Sequence, residues 1–224
     1  MTASLPGIIL AAGLSRRMGG HCKLLLPFKG RPLAAHAVRA ALDGGLGPVV
    51  LVVGPHSPVK VVQTCLDEAA GTAQGIHVVT AERAALGQAE SLKAGLALVR
   101  ELTPDAPGVM VLLGDQPLVD GALVRVLASV FLAAYHEQDA PFCAAPRTGA
   151  ENNGRRGNPV VIHAELFEEV ACLSGDVGAR GIVAAHTLLD VPCMGDACLA
   201  DADTPEAYAA LLARHAGQGV DGSE

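Results

Sequence analysis

Four short apolar runs alternate with amphipathic stretches through the first half of the chain, and that alternation constrains the fold more than any other feature. The runs cover residues 7–12, 49–53, 76–80 and 109–113, and Gly13, Gly54 and Gly114 close three of them. Each is continuous rather than alternating in polarity, the pattern of a strand buried on both faces. Between them lie stretches with helical spacing. Pro32 opens the first, a favoured first-turn position, and Gly44-Gly45 close it. Others cover about 57–70, 88–101 and 120–136. This rhythm predicts an α/β fold: a Rossmann-like, doubly wound, mostly parallel sheet with helices on both faces and right-handed crossovers.

The second half is less regular. Residues 142–145 and 160–162 read as strands, and 164–173, 176–186 and 204–215 as helices. Thr204-Pro205-Glu206 marks the last helix start with a cap, a first-turn proline and an early carboxylate. No linker is strong enough to split the chain. The expectation is one domain over 1–216, with a nucleotide-binding half at about 6–118 and an acceptor-binding half at about 119–216. Residues 217–224 read as a flexible, polar tail.

Composition narrows the partners. Half of the 224 residues are hydrophobic, only 3% are aromatic, and the net charge is −7. An acidic chain poor in aromatics suits neither nucleic acid nor an anionic membrane. An anionic small molecule needs only a local positive site. No segment reaches the ~18 consecutive apolar residues of a membrane span. The run at 7–12 lacks a basic segment before it and reads as a strand, not a signal peptide. The six cysteines, at 22, 65, 143, 172, 193 and 198, include no C-x-x-C. They read as reduced thiols of a cytoplasmic protein.

Ligands of open parallel sheets bind beyond the C-terminal strand ends. After the first strand comes a loop with Gly13, Gly19 and Gly20, together with Arg17 and Lys23. Glycines let backbone N–H groups turn onto an anion, and Arg and Lys add fixed positive charge. The loop contains neither G-x-x-x-x-G-K-[ST] nor G-x-G-x-x-G. After the fourth strand, Gly114-Asp115-Gln116-Pro117 places a carboxylate where it can hold Mg²⁺ against nucleotide phosphates. Asp115 could equally be a turn residue. His21 also lies in the loop and could approach the phosphates.

The segments Leu10-Ala11-Ala12-Gly13-x-Ser15-x-Arg17-Met18-Gly19, Lys23-Leu24-Leu25-Leu26-Pro27 and Gly30-Arg31-Pro32-Leu33 resemble the molybdenum cofactor nucleotidyltransferases. The match is closest to the cytidylyltransferase branch, because the guanylyltransferase branch usually has Gly at the position of Ala12. Asp201-Ala202-Asp203-Thr204-Pro205, Arg156-Gly157-Asn158-Pro159 and Gly175-Asp176-x-Gly178-Ala179-Arg180 extend the resemblance almost to the C-terminus.

The resemblance implies a nucleotide-diphospho-sugar transferase-like fold and transfer of CMP from CTP to molybdenum-loaded molybdopterin. Leu10, Ala11, Ala12, Gly13, Ser15, Arg17, Gly19, Lys23, Gln88, Ser91 and Asp115 would bind the nucleotide, with Arg17, Lys23 and Asp115 catalytic. Asp115 and Asp203 would hold Mg²⁺, with Asp201 a lesser candidate for the second ligand. Asp203 could instead simply precede a helix and meet its dipole. Arg156, Asn158, Asp176 and Arg180 would bind the acceptor, although Asp176 could equally be a helix N-cap. A client molybdoenzyme could receive the product. Three residues separate Gly19 from Lys23, one more than in some members, which leaves open the phosphate that Lys23 meets. The alternatives are guanylyl transfer, transfer to another phosphorylated acceptor, and a non-catalytic carrier or chaperone.

Overall fold

The computed structural model describes residues 4–19, 21–72, 75–135, 137, 141–149 and 154–218. Among these, the main sheet has seven strands in the order β5-β4-β1-β6-β8-β7-β9. β1 (Gly7–Ala11) sits between β4 (Val49–Val53) and β6 (Gly108–Leu113). It runs parallel to both, with Ile9 level with Leu51 and Leu112. β5 (Ile76–Thr80) adds a parallel strand beside β4. β8 (Val160–His163) runs against both β6 and β7 (Cys143–Arg147). β9 (Leu188–Pro192) then lies parallel to β7 at the edge.

The continuous apolar runs follow from burial on both faces. Successive strand side chains point to opposite sides. Ile9, Leu51 and Leu112 therefore join one core, and Ile8, Val50, Val52 and Val111 join the other. Helices α1 (Leu33–Asp43), α2 (Val59–Ala69) and α4 (Gly121–Ala134) cover the first face. α3 (Gln88–Leu102), α5 (Phe167–Ala171) and α6 (Ala179–Ala185) cover the second. Burying each Val, Leu or Ile contributes about 1.5–3 kcal/mol.

Two smaller parts position the site. A hairpin of β2 (Pro27–Phe28) and β3 (Arg31–Pro32) follows the glycine loop, and α7 (Pro205–Gln218) follows Asp203. Phe28 and Leu33 bury with Ala202 and Leu211, and the Tyr208 hydroxyl donates to the Pro27 carbonyl at 2.6 Å. The Thr204 hydroxyl accepts from the Ala207 N–H at 3.2 Å, giving the cap read from the sequence.

The sequence pattern predicts neither the hairpin nor β9. In β9, apolar alternation is interrupted by Asp190 and Pro192, which an edge strand tolerates. The expected helix at 164–173 is a 3-10 turn at Ala164–Leu166 followed by the short α5. The helix expected from 176 begins at Ala179. Gly217 and Gln218 of the expected tail belong to α7; the rest of that segment and the end of the 120–136 helix, His136, lie outside the described residues.

Gly95 lets α3 approach the sheet closely: a Cβ there would meet Ile8 and Val52 methyls, each at 2.8 Å. Better helix propensity offsets about 1 kcal/mol of such a change, but overpacking costs about 1–3 kcal/mol and grows with side-chain size. Gly95→Val is therefore expected to lower the unfolding free energy by about 1 kcal/mol or more, read as a lower urea midpoint. An unchanged midpoint would contradict this packing.

Candidate active site

A cleft of about 720 Å³ opens at the C-terminal ends of β1 and β6. Its walls come from the loop after β1, the Asp115 turn after β6, the start of α3, Asn158 before β8, the 176–181 segment and the Asp201–Asp203 stretch. Strand ends and a change in strand order create such a crevice in an open sheet.

The loop after β1 is shaped by its backbone conformation. Ser15 adopts a left-handed φ of 49°, ahead of a 3-10 turn at Arg16–Met18, and Gly19 closes that turn at φ 60°. Alternation of left- and right-handed backbone is the geometry that turns neighbouring N–H groups toward one side. The Ser15 hydroxyl accepts from the Lys23 N–H at 3.2 Å, which pins the far end of the loop to its start.

Lys23 then reaches two carboxylates at once. Its Nζ bonds Asp115 Oδ2 and Asp203 Oδ1, while Arg17 Nη2 meets Asp203 Oδ2 at 2.7 Å. The Ala202 N–H donates to the Asp115 carbonyl at 3.2 Å and ties the two acidic segments together. Lys23 and Asp115 are nearly enclosed, with side chains 13% and 10% exposed, whereas Arg17 is 67% exposed.

Burial alone would pull the Lys23 pKa down, but Asp115 and Asp203 outweigh it and hold the ammonium above its ordinary value. Burial pushes the Asp115 carboxyl up against the opposing pull of Lys23, and Asp203 adds to the push. Asp203 is also partly desolvated, yet its bonds to Lys23 keep it below the usual carboxylate range.

Two hard oxygen donors facing a triphosphate-sized cleft fit a divalent cation that uses one or two carboxylates and completes its shell with phosphates and water. No group of three or more His, Cys, Asp or Glu suited to a metal occurs among the described residues, so the protein alone offers no closed cage. Asp201 lines the cleft but not the Lys23 cluster.

The helix α3 forms the opposite wall. Ser91 is buried one turn into it. Gly87, at φ 130°, leads into it, and a Cβ there would lie 2.2 Å from the Gly175 carbonyl oxygen. The Ala89 N–H donates to that same oxygen at 3.1 Å. A Cβ on Gly178 would fall 2.1 Å from Gln88 Oε1. The glycines thus allow α3 and the 175–178 turn to lock together, and Gln88, Asp176 and Arg180 all face one cleft.

The cleft brings together Leu10, Ala11, Ala12, Gly13, Ser15, Arg17, Lys23, Gln88, Ser91, Asp115, Asn158, Asp176, Arg180 and Asp203. Gly19 is a turn residue outside its lining, and so is His21, which is exposed. Arg156 is also outside it. Its Nε bonds Asp190 Oδ1 at 2.8 Å, and Arg147 Nη1 bonds Oδ2 of the same carboxylate at 2.7 Å. Arg156, chiefly through its hydrogen bond, holds the Asp190 carboxyl below its ordinary value. The structure thus places Arg156 as a clamp on β9, apart from the other residues expected to meet the acceptor. Its partner lies on a strand that the sequence pattern did not reveal.

Asn158 is buried beside the cleft, with its N–H donating to the Cys198 carbonyl at 2.9 Å. Asp176 is not a helix cap, because α6 begins with Gly178 in that position. Leu14, Arg16, the Ala84–Leu86 turn and Val177 also line the cleft and were not anticipated. The only sequence hint to that turn is its position just before Gly87-Gln88.

The sheet with its glycine loop and strand-end carboxylates defines a nucleotidyltransferase. Residues 7–191 match the MobA-like NTP transferase domain, and the chain belongs to that family. It is 32% identical to the nicotine blue oxidoreductase of Paenarthrobacter nicotinovorans over 215 residues, covering 92% of this chain and 95% of that one. It is 29% identical to the purine catabolism protein PucB of Bacillus subtilis over 213 residues, covering 91% and 94% respectively. Among solved structures, the manganese complex of Rv0371C from Mycobacterium tuberculosis H37Rv superposes with a TM-score of 0.70 at 27% identity, covering 94% of this chain and 99% of that one. Members of this family bind nucleoside triphosphates, and a divalent metal is found with a structural neighbour. No helix of the described residues is long and apolar enough to cross a membrane.

The α3 wall gives a direct test of the cleft. Gly87→Ala forces a side chain into a positive φ and against a backbone carbonyl, at a cost of about 1–3 kcal/mol. Gly178→Ala meets only the end of a flexible side chain. Thermal melts should show Gly87→Ala lowering stability more than Gly178→Ala. Equal behaviour of Gly87→Ala and wild type would contradict the interlock.

Proposed function

We propose that the chain transfers CMP from CTP to the terminal phosphate of molybdenum-loaded molybdopterin, releasing pyrophosphate and forming the molybdopterin cytosine dinucleotide cofactor. The observation that carries this reading is the convergence of Lys23, Asp115 and Asp203 beside the 13–19 loop. Asn158, Asp176 and Arg180 share the same cleft. Ala12, just after β1, favours cytosine over guanine on the family resemblance.

The chemistry asks little of a general base. The acceptor's phosphate monoester has its second pKa near ~6, so it is already mostly dianionic at neutral pH. The protein must hold two anions in line and disperse charge on the departing pyrophosphate. The 13–19 loop and Arg17 would bind the triphosphate, and the Lys23 ammonium would neutralise developing charge. Arg180 would hold the acceptor phosphate and Asn158 offers hydrogen bonds to the polar edges of a pterin, while Gln88 and Ser91 would bind the nucleotide. Mg²⁺, held by Asp115 and Asp203, would supply Lewis-acid charge to the phosphates. No residue of the cleft needs to change its covalent state.

We place both halves of the reaction in one domain over 1–216, with no nucleic acid or membrane as partner. A cytoplasmic location agrees with six free cysteines. A client molybdoenzyme is the proposed recipient. The relatives' names point to different roles, including redox chemistry and purine catabolism, so the acceptor is the part to be tested.

The test supplies CTP or GTP, Mg²⁺ and molybdenum-loaded molybdopterin, and follows pyrophosphate and the dinucleotide product. Other phosphorylated acceptors form the comparison panel. CTP-dependent pyrophosphate release with the molybdopterin acceptor is the expected result; a preference for GTP or for another acceptor would replace the reading. Tight cofactor binding without pyrophosphate release would make the chain a carrier. Asp115→Asn, which keeps the side-chain volume, is expected to lower kcat/KM by about 100-fold or more, equivalent to about 2.7 kcal/mol. Normal turnover in a folded Asp115→Asn variant would remove this residue from the chemistry.

A further inference from the structure

Resting on the nucleotidyltransferase assignment of the cleft, we propose that Lys23 is a built-in counter-ion: its ammonium occupies the charge position of the divalent cation until a triphosphate arrives. Metal and nucleotide binding are then coupled through the exchange of one side chain between two sets of oxygens.

The geometry supports this directly. Lys23 Nζ bonds Asp115 Oδ2 and Asp203 Oδ1 together, and both aspartates line the cleft where a metal would be held. Asp115 is nearly buried, and two neighbouring carboxylates without a cation between them would repel in a poorly solvated site. Arg17 does not take that role. It holds the other oxygen of Asp203 and is largely exposed. Lys23 is suited to leaving, because an ammonium is a compact charge on a flexible four-carbon stem. Its backbone stays in place, with the Lys23 N–H held by the Ser15 hydroxyl. The same loop that anchors it also borders the expected phosphate position, so a displaced ammonium has new anionic partners within the cleft.

The consequence is an order of preference. Without nucleotide, a divalent cation must displace Lys23 and leave its ammonium beside a like charge with no partner. With nucleotide, the phosphates accept the ammonium while the cation takes the carboxylates. Linkage makes the effect reciprocal, so the metal strengthens nucleotide binding to the same degree.

The first experiment titrates Mn²⁺ alone, without nucleotide, into wild type, Lys23→Gln, Asp115→Asn and the double variant, and reads free Mn²⁺ by electron paramagnetic resonance. Lys23→Gln is expected to bind Mn²⁺ at least about fivefold more tightly than wild type, and adding Asp115→Asn is expected to abolish the gain. Equal or weaker binding by Lys23→Gln, with Asp115→Asn still weakening it, would overturn the exchange while leaving the metal site intact. Binding indifferent to Asp115 in every background would overturn the metal reading itself, and the exchange with it. The second experiment uses wild type alone, so it does not depend on a variant folding. Acylation of Lys23 by an amine-reactive ester is followed by mass spectrometry. Saturating Mn²⁺ is expected to accelerate the modification severalfold, and Mn²⁺ with CTP is expected to suppress it. No acceleration by Mn²⁺ would overturn the proposal.

Discussion

The ion cluster of Lys23 with Asp115 and Asp203 is the interaction on which the site depends. Its members come from the loop after β1, the turn after β6 and the segment before α7, which are distant in sequence. The enclosed charges of Lys23 and Asp115 would be unfavourable without each other, and the more open Asp203 adds a second anion for the ammonium. The surrounding structure keeps them in register. The Ala202 N–H ties its segment to the Asp115 carbonyl, and the small core of Phe28, Leu33, Ala202 and Leu211 packs α7 onto the hairpin that follows Lys23. A change in that satellite core would be felt as a change in charge geometry several residues away.

The sheet supplies the rigidity behind this cluster. β1 is buried on both faces and paired on both edges, so the residues that follow it leave the core from a fixed point. β6 fixes Asp115 in the same way. The opposite wall of the cleft is held differently, by the close approach of α3 to the 175–178 turn, with the clamp of Arg147 and Arg156 on Asp190 behind it. The two sides of the cleft therefore rest on different physical supports: paired strands behind the loop after β1, and glycine-permitted contacts with an ion-pair network for the other.

Much of this was legible in the sequence because it rests on local patterning. Continuous apolar runs announced the parallel strands, and Gly13, Arg17, Lys23 and Asp115 followed strand ends where the fold puts ligands. Thr204-Pro205 announced α7. What escaped depended on tertiary pairing. β9 is an edge strand broken by Asp190 and Pro192, and its acidic residue makes sense only beside Arg147 and Arg156. Missing that partner made Arg156 look available to an acceptor. The 3-10 turn at Ala84–Leu86 carries no charged or glycine signal of its own, and Val177 lines the cleft beside the Gly178 that packs on Gln88. Family resemblance supplied the acceptor and the base, which no residue pattern defines by itself.

The central claim is that Asp115 and Asp203 form a metal site facing a triphosphate held by the loop after β1. The most direct measurement is a crystal structure with Mn²⁺ and a non-hydrolysable CTP analogue, with the metal located by its anomalous scattering. The account predicts one peak bridging Asp115, Asp203 and the phosphates, the triphosphate lying along residues 13–19, and Lys23 moved from the carboxylates onto phosphate oxygens. A metal bound elsewhere, or a nucleotide bound away from that loop with the Lys23 cluster unchanged, would contradict it.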